Sequence, residues 1–301
     1  MASAWFAGFE TAHHRVGDIE LFARTGGNRA GPPLLLLHGY PQTHVMWQRV
    51  AARLAPRFSL VIPDLRGYGD STKPVGGSDH AAQSKRAMAA DLAALMTTLG
   101  HRRFAVVGHD RGGRVGHRLA LDHADRVERL AVIDIAPTLD MYDATDMRFA
   151  SAYYHWFFLT QPAPLPERMI GGDASFYLRW TLGGWGGRGL DFIEPEALAE
   201  YERCFGRADA IHAACEDYRA AATIDLEHDR ASRAAGEKIA CELLVLWGQR
   251  GIVEKLFDPL ALWQAQCAAG VQGEAMAAGH FIPEELPDDT AARIDAFLRG
   301  R

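Results

Sequence analysis

The chain has 301 residues, of which 48% are hydrophobic and 23% charged, and its formal net charge is −6. This ordinary globular composition excludes a disordered, collagen-like or coiled-coil protein, and the acidic balance argues against a nucleic-acid partner. The longest apolar runs fall far short of the roughly 20 residues that span a bilayer, and residues 1–10 lack a signal-peptide pattern. The four cysteines form no C-x-x-C motif and are typical of reduced thiols, so we expect a cytoplasmic protein.

The first third of the chain alternates short apolar strands with segments of helical pattern. Strands are predicted at residues 19–23, 34–37, 58–62, 104–107 and 130–135, and helices at 85–99 and 111–122. The first of these helices stops at Gly100, a residue that often follows a helix end. Strands that alternate with helices predict an α/β fold with a mostly parallel sheet and helices on both faces.

This alternation stops after Pro137. Residues 139–225 are rich in aromatic side chains and have a helical pattern, with a loop indicated by the glycines at 183–189. Strand patterns return at residues 243–247 and 271–276. We therefore predict one α/β core built from residues 1–138 and 226–301, interrupted by a helical cap of residues 139–225.

A glycine-flanked turn follows the predicted strand at 104–107. Its sequence is Gly108-His-Asp110-Arg-Gly112, and a predicted helix begins at once. Such a turn presents its central side chain above the sheet, where esterases carry a serine nucleophile. A carboxylate there suits attack at a saturated carbon, which forms an ester on the enzyme. The alternative is that Asp110 only caps the helix.

Two further residues complete a candidate triad with Asp110. His280 follows the last predicted strand and precedes a terminal helix that begins near Pro287. Asp134 lies in the apolar strand at 131–137, where a carboxylate is costly unless it is paired, as with a histidine nitrogen. The other common position for this acid, after the next strand, holds no aspartate, although Glu254 comes shortly after it.

The segment His38-Gly-Tyr40-Pro41 follows the predicted strand at 34–37. The backbone N–H groups of Tyr40 and Arg111 are candidates for an oxyanion hole. Attack at a saturated carbon develops no carbonyl oxyanion, so this hole would act when water attacks the ester.

These segments together resemble the α/β-hydrolase superfamily. The similar stretches are His38-Gly-Tyr-Pro41, Asp64-Leu-Arg-Gly-Tyr-Gly-Asp-Ser71, Gly108-His-Asp-Arg-Gly112 and Ala278-Gly-His280. The resemblance implies an eight-stranded, mostly parallel sheet flanked by helices, with a helical cap insertion. An aspartate nucleophile restricts it to haloalkane dehalogenases, epoxide hydrolases and haloacetate dehalogenases.

Two arginines distinguish among these classes. Arg111 follows the candidate nucleophile directly, and Arg114 lies one helical turn beyond Asp110. Two guanidinium groups serve no purpose beside an apolar haloalkane, but they suit a small carboxylate held bidentately. The alternative is that both are surface residues at the start of a helix.

The cap resembles the fluoroacetate dehalogenase group of the haloacetate dehalogenases. The similar stretches are Tyr154-His155-Trp156, Cys215-Glu-Asp-Tyr218-Arg219 and Gly184-Trp185-Gly186. The resemblance implies that His155, Trp156 and Tyr218 bind halide, that Tyr40, His109 and Trp185 line the site, and that the protein is a homodimer. Tyr153, Phe157, Phe158 and Trp180 are expected to form an aromatic core of the cap.

The predicted reaction is hydrolysis of a haloacetate to glycolate and halide, with no cofactor and no metal. Two alternatives remain open. An epoxide hydrolase would use the same aspartate, with Tyr154 and Tyr218 protonating the epoxide oxygen. A ligand-binding relative of the fold would bind without turnover, although an intact set of Asp110, Asp134 and His280 argues against it.

Overall fold

A mixed sheet of eight strands forms the centre of the molecule. The computed structural model describes residues 5–186 and 189–300. The strands are β1 (Glu10–Val16), β2 (Ile19–Gly27), β3 (Pro33–Leu37), β4 (Ser59–Pro63), β5 (Phe104–His109), β6 (Val127–Ile133), β7 (Glu242–Gly248) and β8 (Val271–Met276). Their order across the sheet is β1-β2-β4-β3-β5-β6-β7-β8. Only the β1–β2 and β2–β4 pairs are antiparallel among these strands, so the predicted, mostly parallel sheet is confirmed.

Helices cover the sheet and fill the interval between β6 and β7. They are α1 (Gln48–Leu54), α2 (Lys85–Thr98), α3 (Arg111–Asp122), α4 (Thr138–Asp143), α5 (Met147–Ala152), α6 (Tyr154–Leu159), α7 (Leu165–Gly172), α8 (Ala174–Gly186), α9 (Pro195–Phe205), α10 (Ala208–Ala222), α11 (Ile224–Ala234), α12 (Ile252–Leu256), α13 (Pro259–Gln266), α14 (Ile282–Glu285) and α15 (Pro287–Leu298). The helices α4 to α11 contain the predicted cap. Its predicted end at residue 225 falls inside α11, and the division into core and cap stays a prediction.

The central strands are apolar on both faces because helices cover them on both sides. Every residue of β5 is buried, as are the four residues Leu130, Ala131, Val132 and Ile133 of β6. Continuous apolar runs of this kind are typical of strands in the middle of a parallel sheet. In the described part of the chain, none of the helices combines the length and apolarity needed to cross a membrane.

Three local predictions differ from the structure. Strand β1 has no predicted counterpart, because its sequence is polar and six of its seven side chains are exposed or half-buried at the sheet edge. Strand β6 ends at Ile133, so Asp134 lies just beyond the strand and not within it. The glycine-rich segment 183–189, predicted as a loop, continues α8 as far as Gly186, while residues 187 and 188 lie outside the described residues.

The parallel strands bring distant residues to one edge of the sheet. Tyr40, Asp110, Asp134 and His280 each follow the carboxyl end of a different parallel strand: β3, β5, β6 and β8. In sheets of this kind, ligands bind in the crevice outside these strand ends.

Candidate active site

The turn between β5 and α3 is tight, and Asp110 stands at its centre. Its backbone has φ +46° and ψ −116°, a left-handed conformation that costs free energy in a non-glycine residue. The glycines allow this turn: a Cβ at Gly112 would lie only 2.5 Å from the carbonyl oxygen of Leu37. Although Asp110 is at the N-cap position of α3, its side chain bonds to none of the described N–H groups of that helix. The geometry therefore does not support a capping role.

The carboxylate of Asp110 has two different surroundings. Its Oδ1 accepts a hydrogen bond of 2.9 Å from the backbone N–H of Tyr40. Its Oδ2 lies 4.0 Å from Nε2 of His280. Burial alone would raise the pKa of this carboxyl, but His280 and the two nearby guanidinium groups lower the pKa to about 2. Asp110 is therefore ionised at neutral pH.

The side chains of Asp134 and His280 are hydrogen-bonded to each other. The Nδ1 of His280 donates to Oδ2 of Asp134 at 2.6 Å, and Oδ1 of Asp134 accepts from the N–H of Gly248 at 2.9 Å. Burial disfavours the imidazolium, but the hydrogen bond to Asp134 and the two carboxylate charges raise the pKa of His280 above 6.5. The alternative acid, Glu254, instead accepts a hydrogen bond from the indole of Trp247.

The far nitrogen of His280 faces Asp110 and is unsatisfied. Its Nε2 is buried and has no hydrogen-bond partner among the residues that the structure describes. A separation of 4.0 Å from the Asp110 carboxylate is too long for a direct hydrogen bond. One water molecule hydrogen-bonded to both groups would span this separation.

His109 contacts both the backbone and the ring of His280. Its Nε2 donates to the backbone carbonyl of His280 at 2.8 Å, and the two rings lie 4.7 Å apart between centroids. Burial lowers the pKa of His109 to about 3, so its ring is neutral at physiological pH. His109 is therefore a neutral donor that fixes the backbone of His280.

Arg111 is buried, and most of its donors are held by Asp217, a residue of the stretch 215–219 for which the sequence predicts no role. Its Nε and Nη2 donate to the two carboxylate oxygens of Asp217 at 2.9 and 2.6 Å, and Nη2 also donates to the Asp217 carbonyl at 2.9 Å. Its guanidinium lies 4.2 Å from the centre of the Tyr218 ring. Only Nη1 is left without a partner in the described residues.

Arg114 is also buried, which excludes the alternative that the two arginines are surface residues. Its Nη1 donates to the carbonyl of Ala136 at 3.1 Å and to the hydroxyl of Thr138 at 2.8 Å, while Nε has no partner within the described residues. The guanidinium lies 4.8 Å from the centre of the Trp156 ring. Each arginine thus keeps one nitrogen without a partner in the described residues, Nη1 of Arg111 and Nε of Arg114.

Three buried donors of the cap lack partners. Nδ1 of His155, Nε1 of Trp156 and the hydroxyl of Tyr218 have none in residues 5–186 and 189–300. Burial lowers the pKa of His155 well below 6.5 and raises that of Tyr218 well above 10. His155 is therefore neutral and Tyr218 protonated at neutral pH. All three are therefore available to hydrogen-bond a ligand.

A cavity of about 210 Å³ opens onto the triad. It is lined by Asp110, Asp134, Ala152, Tyr153, His155, Gly184, Trp185, Arg250, Gly251, Ile252, Lys255 and His280. The centroid of the Trp185 ring lies 4.1 Å from that of His155 and 5.6 Å from that of His280, so Trp185 contacts both histidines. Over the described ranges of the chain, no cluster of three or more His, Cys, Asp or Glu side chains suited to a metal ion is found.

One prediction for the aromatic core of the cap is wrong, since Trp180 is 63% exposed. Tyr153, Phe157 and Phe158 pack against the hydrophobic core as expected, and Tyr153 also lines the cavity. The sequence pattern could not place Trp180, because an aromatic residue on a helix has the same signature whether it packs inward or faces outward.

The fold and this site define an α/β hydrolase. The family model for the alpha/beta hydrolase fold matches residues 32–285, and the chain belongs to this family. It is 48% identical to a fluoroacetate dehalogenase from Burkholderia sp., over 97% of this chain and 95% of that protein. It is 34% identical to a soluble epoxide hydrolase from Corynebacterium sp. (strain C12), over 96% and 99%. A crystal structure from Nostoc sp. PCC 7120 superposes with a TM-score of 0.94 at 52% identity, covering 97% and 99% of the two chains.

Proposed function

We propose that this enzyme hydrolyses the carbon–halogen bond of haloacetates, giving glycolate and halide. The observation that carries the proposal is the group of unpaired buried donors near Asp110. They are Nη1 of Arg111, Nε of Arg114, Nδ1 of His155, Nε1 of Trp156 and the hydroxyl of Tyr218. A haloacetate presents two groups that such donors would satisfy, a carboxylate and a departing halide. The similarity to a fluoroacetate dehalogenase agrees with this assignment.

In the first step, Asp110 displaces halide from the α-carbon. The two free guanidinium nitrogens, one from each arginine, hold the substrate carboxylate and offset its repulsion from Asp110. Oδ2 attacks, because Oδ1 is already held by the Tyr40 N–H. The carbon–halogen bond breaks as the ester bond forms, and the electron pair leaves with the halide. Donors placed in advance where this charge develops lower the barrier.

In the second step, water hydrolyses the ester. Nε2 of His280 takes a proton from water, and the water oxygen attacks the carbonyl carbon of Asp110. The charge that develops on Oδ1 is stabilised by the N–H of Tyr40, which already lies 2.9 Å from that oxygen. The bond between the Asp110 carbonyl carbon and Oδ2 then breaks, so Oδ2 leaves as the hydroxyl oxygen of glycolate and takes the proton from His280, while the water oxygen stays on Asp110.

A halide-release assay tests this function. Purified enzyme is incubated separately with fluoroacetate, chloroacetate and bromoacetate, and free halide and glycolate are measured together. Equal amounts of both products are expected from at least one substrate, and none from an Asp110→Asn control that keeps the shape of the side chain. Absence of release from all three substrates would overturn the proposal.

Epoxide hydrolysis is the second candidate, favoured by the 34% identity to a soluble epoxide hydrolase. It would need two tyrosines above Asp110. Of the two predicted for that role, Tyr218 is buried at the site, but Tyr154 is 38% exposed and lines a separate outer groove. Two buried arginines also have no partner in a neutral epoxide. Parallel assays with styrene oxide and chloroacetate distinguish the two functions.

We also propose a homodimer in the cytoplasm. The outer face of α7 and α8 supports a dimer, since Met169, Phe176 and Trp180 are each more than 60% exposed there, at 63%, 62% and 63%. Sedimentation of the wild type and of Trp180→Glu tests this face, with a shift to monomer expected for the variant. The cytoplasmic location rests on the four cysteines, which are all free thiols in the structure.

A further inference from the structure

A buried cluster of charges connects the core to the cap directly behind Arg111. Its centre is Asp217 on α10, whose side chain is fully buried. One carboxylate oxygen accepts from Arg111 and Lys85, and the other from Arg111 and, at 2.6 Å, from the hydroxyl of Tyr68. Lys85 also lies 3.4 Å from Asp225. The cluster thus contains two cations and two anions.

We propose that Asp217 is a positioning residue that aims Arg111 at the substrate carboxylate. Asp217 engages Nε and Nη2 of the guanidinium, together with its own carbonyl, so the planar group cannot rotate about its long axis. The nitrogen left over, Nη1, is the one without a partner in the described structure. Asp217 therefore selects which part of Arg111 meets the ligand. This inference rests on the proposed haloacetate substrate.

The turn of α10 that carries Asp217 also carries Tyr218, a proposed halide donor. Tyr218, the next residue along α10, packs against the guanidinium that Asp217 holds, at 4.2 Å. A shift of α10 would therefore move a halide donor and the carboxylate anchor together. Because Arg111 is on the core and Asp217 on α10, the carboxylate site is complete only when these two elements are docked.

Asp217 also limits the number of donors that Arg111 can offer to an anion. Arg111 and Arg114 each have one guanidinium nitrogen without a partner in the described residues, so together they can donate two hydrogen bonds to a single carboxylate. The positive charge of Arg111 is paired with Asp217, so this arginine offers the substrate mainly directed hydrogen bonds, whereas the partners of Arg114 are neutral.

The experiment compares Asp217→Asn, Lys85→Met and the double variant. Each single variant unbalances the buried cluster by one charge, and the double variant restores the balance. A residue that is only structural would recover both the melting temperature and the kinetics in the double variant. A positioning residue would recover the melting temperature but keep the kinetic defect.

We expect the KM for chloroacetate to rise about 10- to 100-fold in Asp217→Asn and in the double variant, because hydrogen bonds to a charged group lose their geometry. The effect on kcat should be smaller, since the carboxylate is held in the ground state and the transition state alike. Lys85→Met leaves all three hydrogen bonds between Arg111 and Asp217 in place, so its KM should rise much less. Return of KM to the wild-type value in the double variant would overturn the inference.

A separate measurement keeps this inference distinct from the proposed function. If the wild type released no halide from any haloacetate, the function would fail, but acetate could still be used as a probe of the anchor. Acetate should raise the melting temperature of the wild type and not that of the double variant. An equal rise in both would overturn the positioning role, whatever the reaction.

Discussion

At the scale of single residues, the site keeps its two carboxylates in separate roles. Asp110 accepts a hydrogen bond from the Tyr40 N–H and has cations around it, so it stays ionised, as the proposed nucleophile must. Asp134 is tied to His280 and to the N–H of Gly248, so its oxygens are not available for attack. Two residues of the same type thus differ in function because of their partners.

Replacing His280 should stop the reaction after its first half. In His280→Asn no base remains to activate water, while Asp110 and the arginines are unchanged. Turnover should fall about 100- to 10,000-fold, and the ester on Asp110 should accumulate. Intact-protein and peptide mass spectrometry after incubation with bromoacetate would detect the adduct. Loss of turnover with no adduct on Asp110 would contradict an ester mechanism.

The same histidine predicts how the enzyme responds to pH. Its raised pKa means that the imidazolium persists above pH 6.5, so ester hydrolysis should slow as the pH falls through this raised value. Titration of the imidazole by NMR should give a midpoint above 6.5 in the wild type. Asp110→Asn removes one of the charges that raise the pKa and should lower the midpoint, with His280→Gln identifying the resonance. A wild-type midpoint below 6.5 would contradict this.

At the scale of elements, the turn from β5 into α3 is the part of the site that was most predictable. Its glycines and its central aspartate are adjacent in sequence, so a local pattern was enough. Asp217 was not predicted, because its partner Arg111 is 106 positions away and no local pattern connects them. The available signal was a charged residue in the alanine-rich helix α10.

Strand β1 was not predicted for a different reason, since an exposed edge strand needs few apolar residues.

The close packing of this turn can be tested with a matched pair of glycines. Gly112→Ala places a methyl group 2.5 Å from two backbone carbonyls that cannot move aside, so we expect a loss of at least about 1–3 kcal/mol in the free energy of unfolding. A methyl group at Gly171 on α7 would have no atom of the described structure within 4 Å, and Gly171→Ala should be neutral or stabilise by up to about 1 kcal/mol. Urea unfolding measures both. Equal effects would contradict the proposed packing.

At the scale of the whole molecule, the net charge is negative, while two cationic side chains line the cavity. The chain carries a formal charge of −6, which repels an anionic substrate at long range. The cavity that leads to Asp110, however, has Arg250 and Lys255 in its lining. The guanidinium of Arg250 is paired with Glu285, whereas the Lys255 side chain is exposed on α12. The approach of an anion should therefore depend on Lys255.

Reversing the charge at the cavity should slow substrate capture. Lys255→Glu should lower kcat/KM for chloroacetate at low ionic strength, and added salt should reduce the difference from the wild type. Lys238→Glu makes the same change in net charge before the start of β7, at the opposite end of the sheet. Stopped-flow or steady-state kinetics across a salt series would compare them. An equal loss in both variants would show that only net charge matters.

The position of β6 has a consequence for how the protein is made. In the finished sheet β6 lies between β5 and β7, but β7 is translated only after all the helices from α4 to α11. Synthesis of that stretch takes on the order of ten seconds at typical elongation rates. Throughout this time, an apolar strand has one row of N–H and C=O groups open to pairing with other chains. We expect the nascent chain to depend on chaperones until β7 leaves the ribosome and covers that edge.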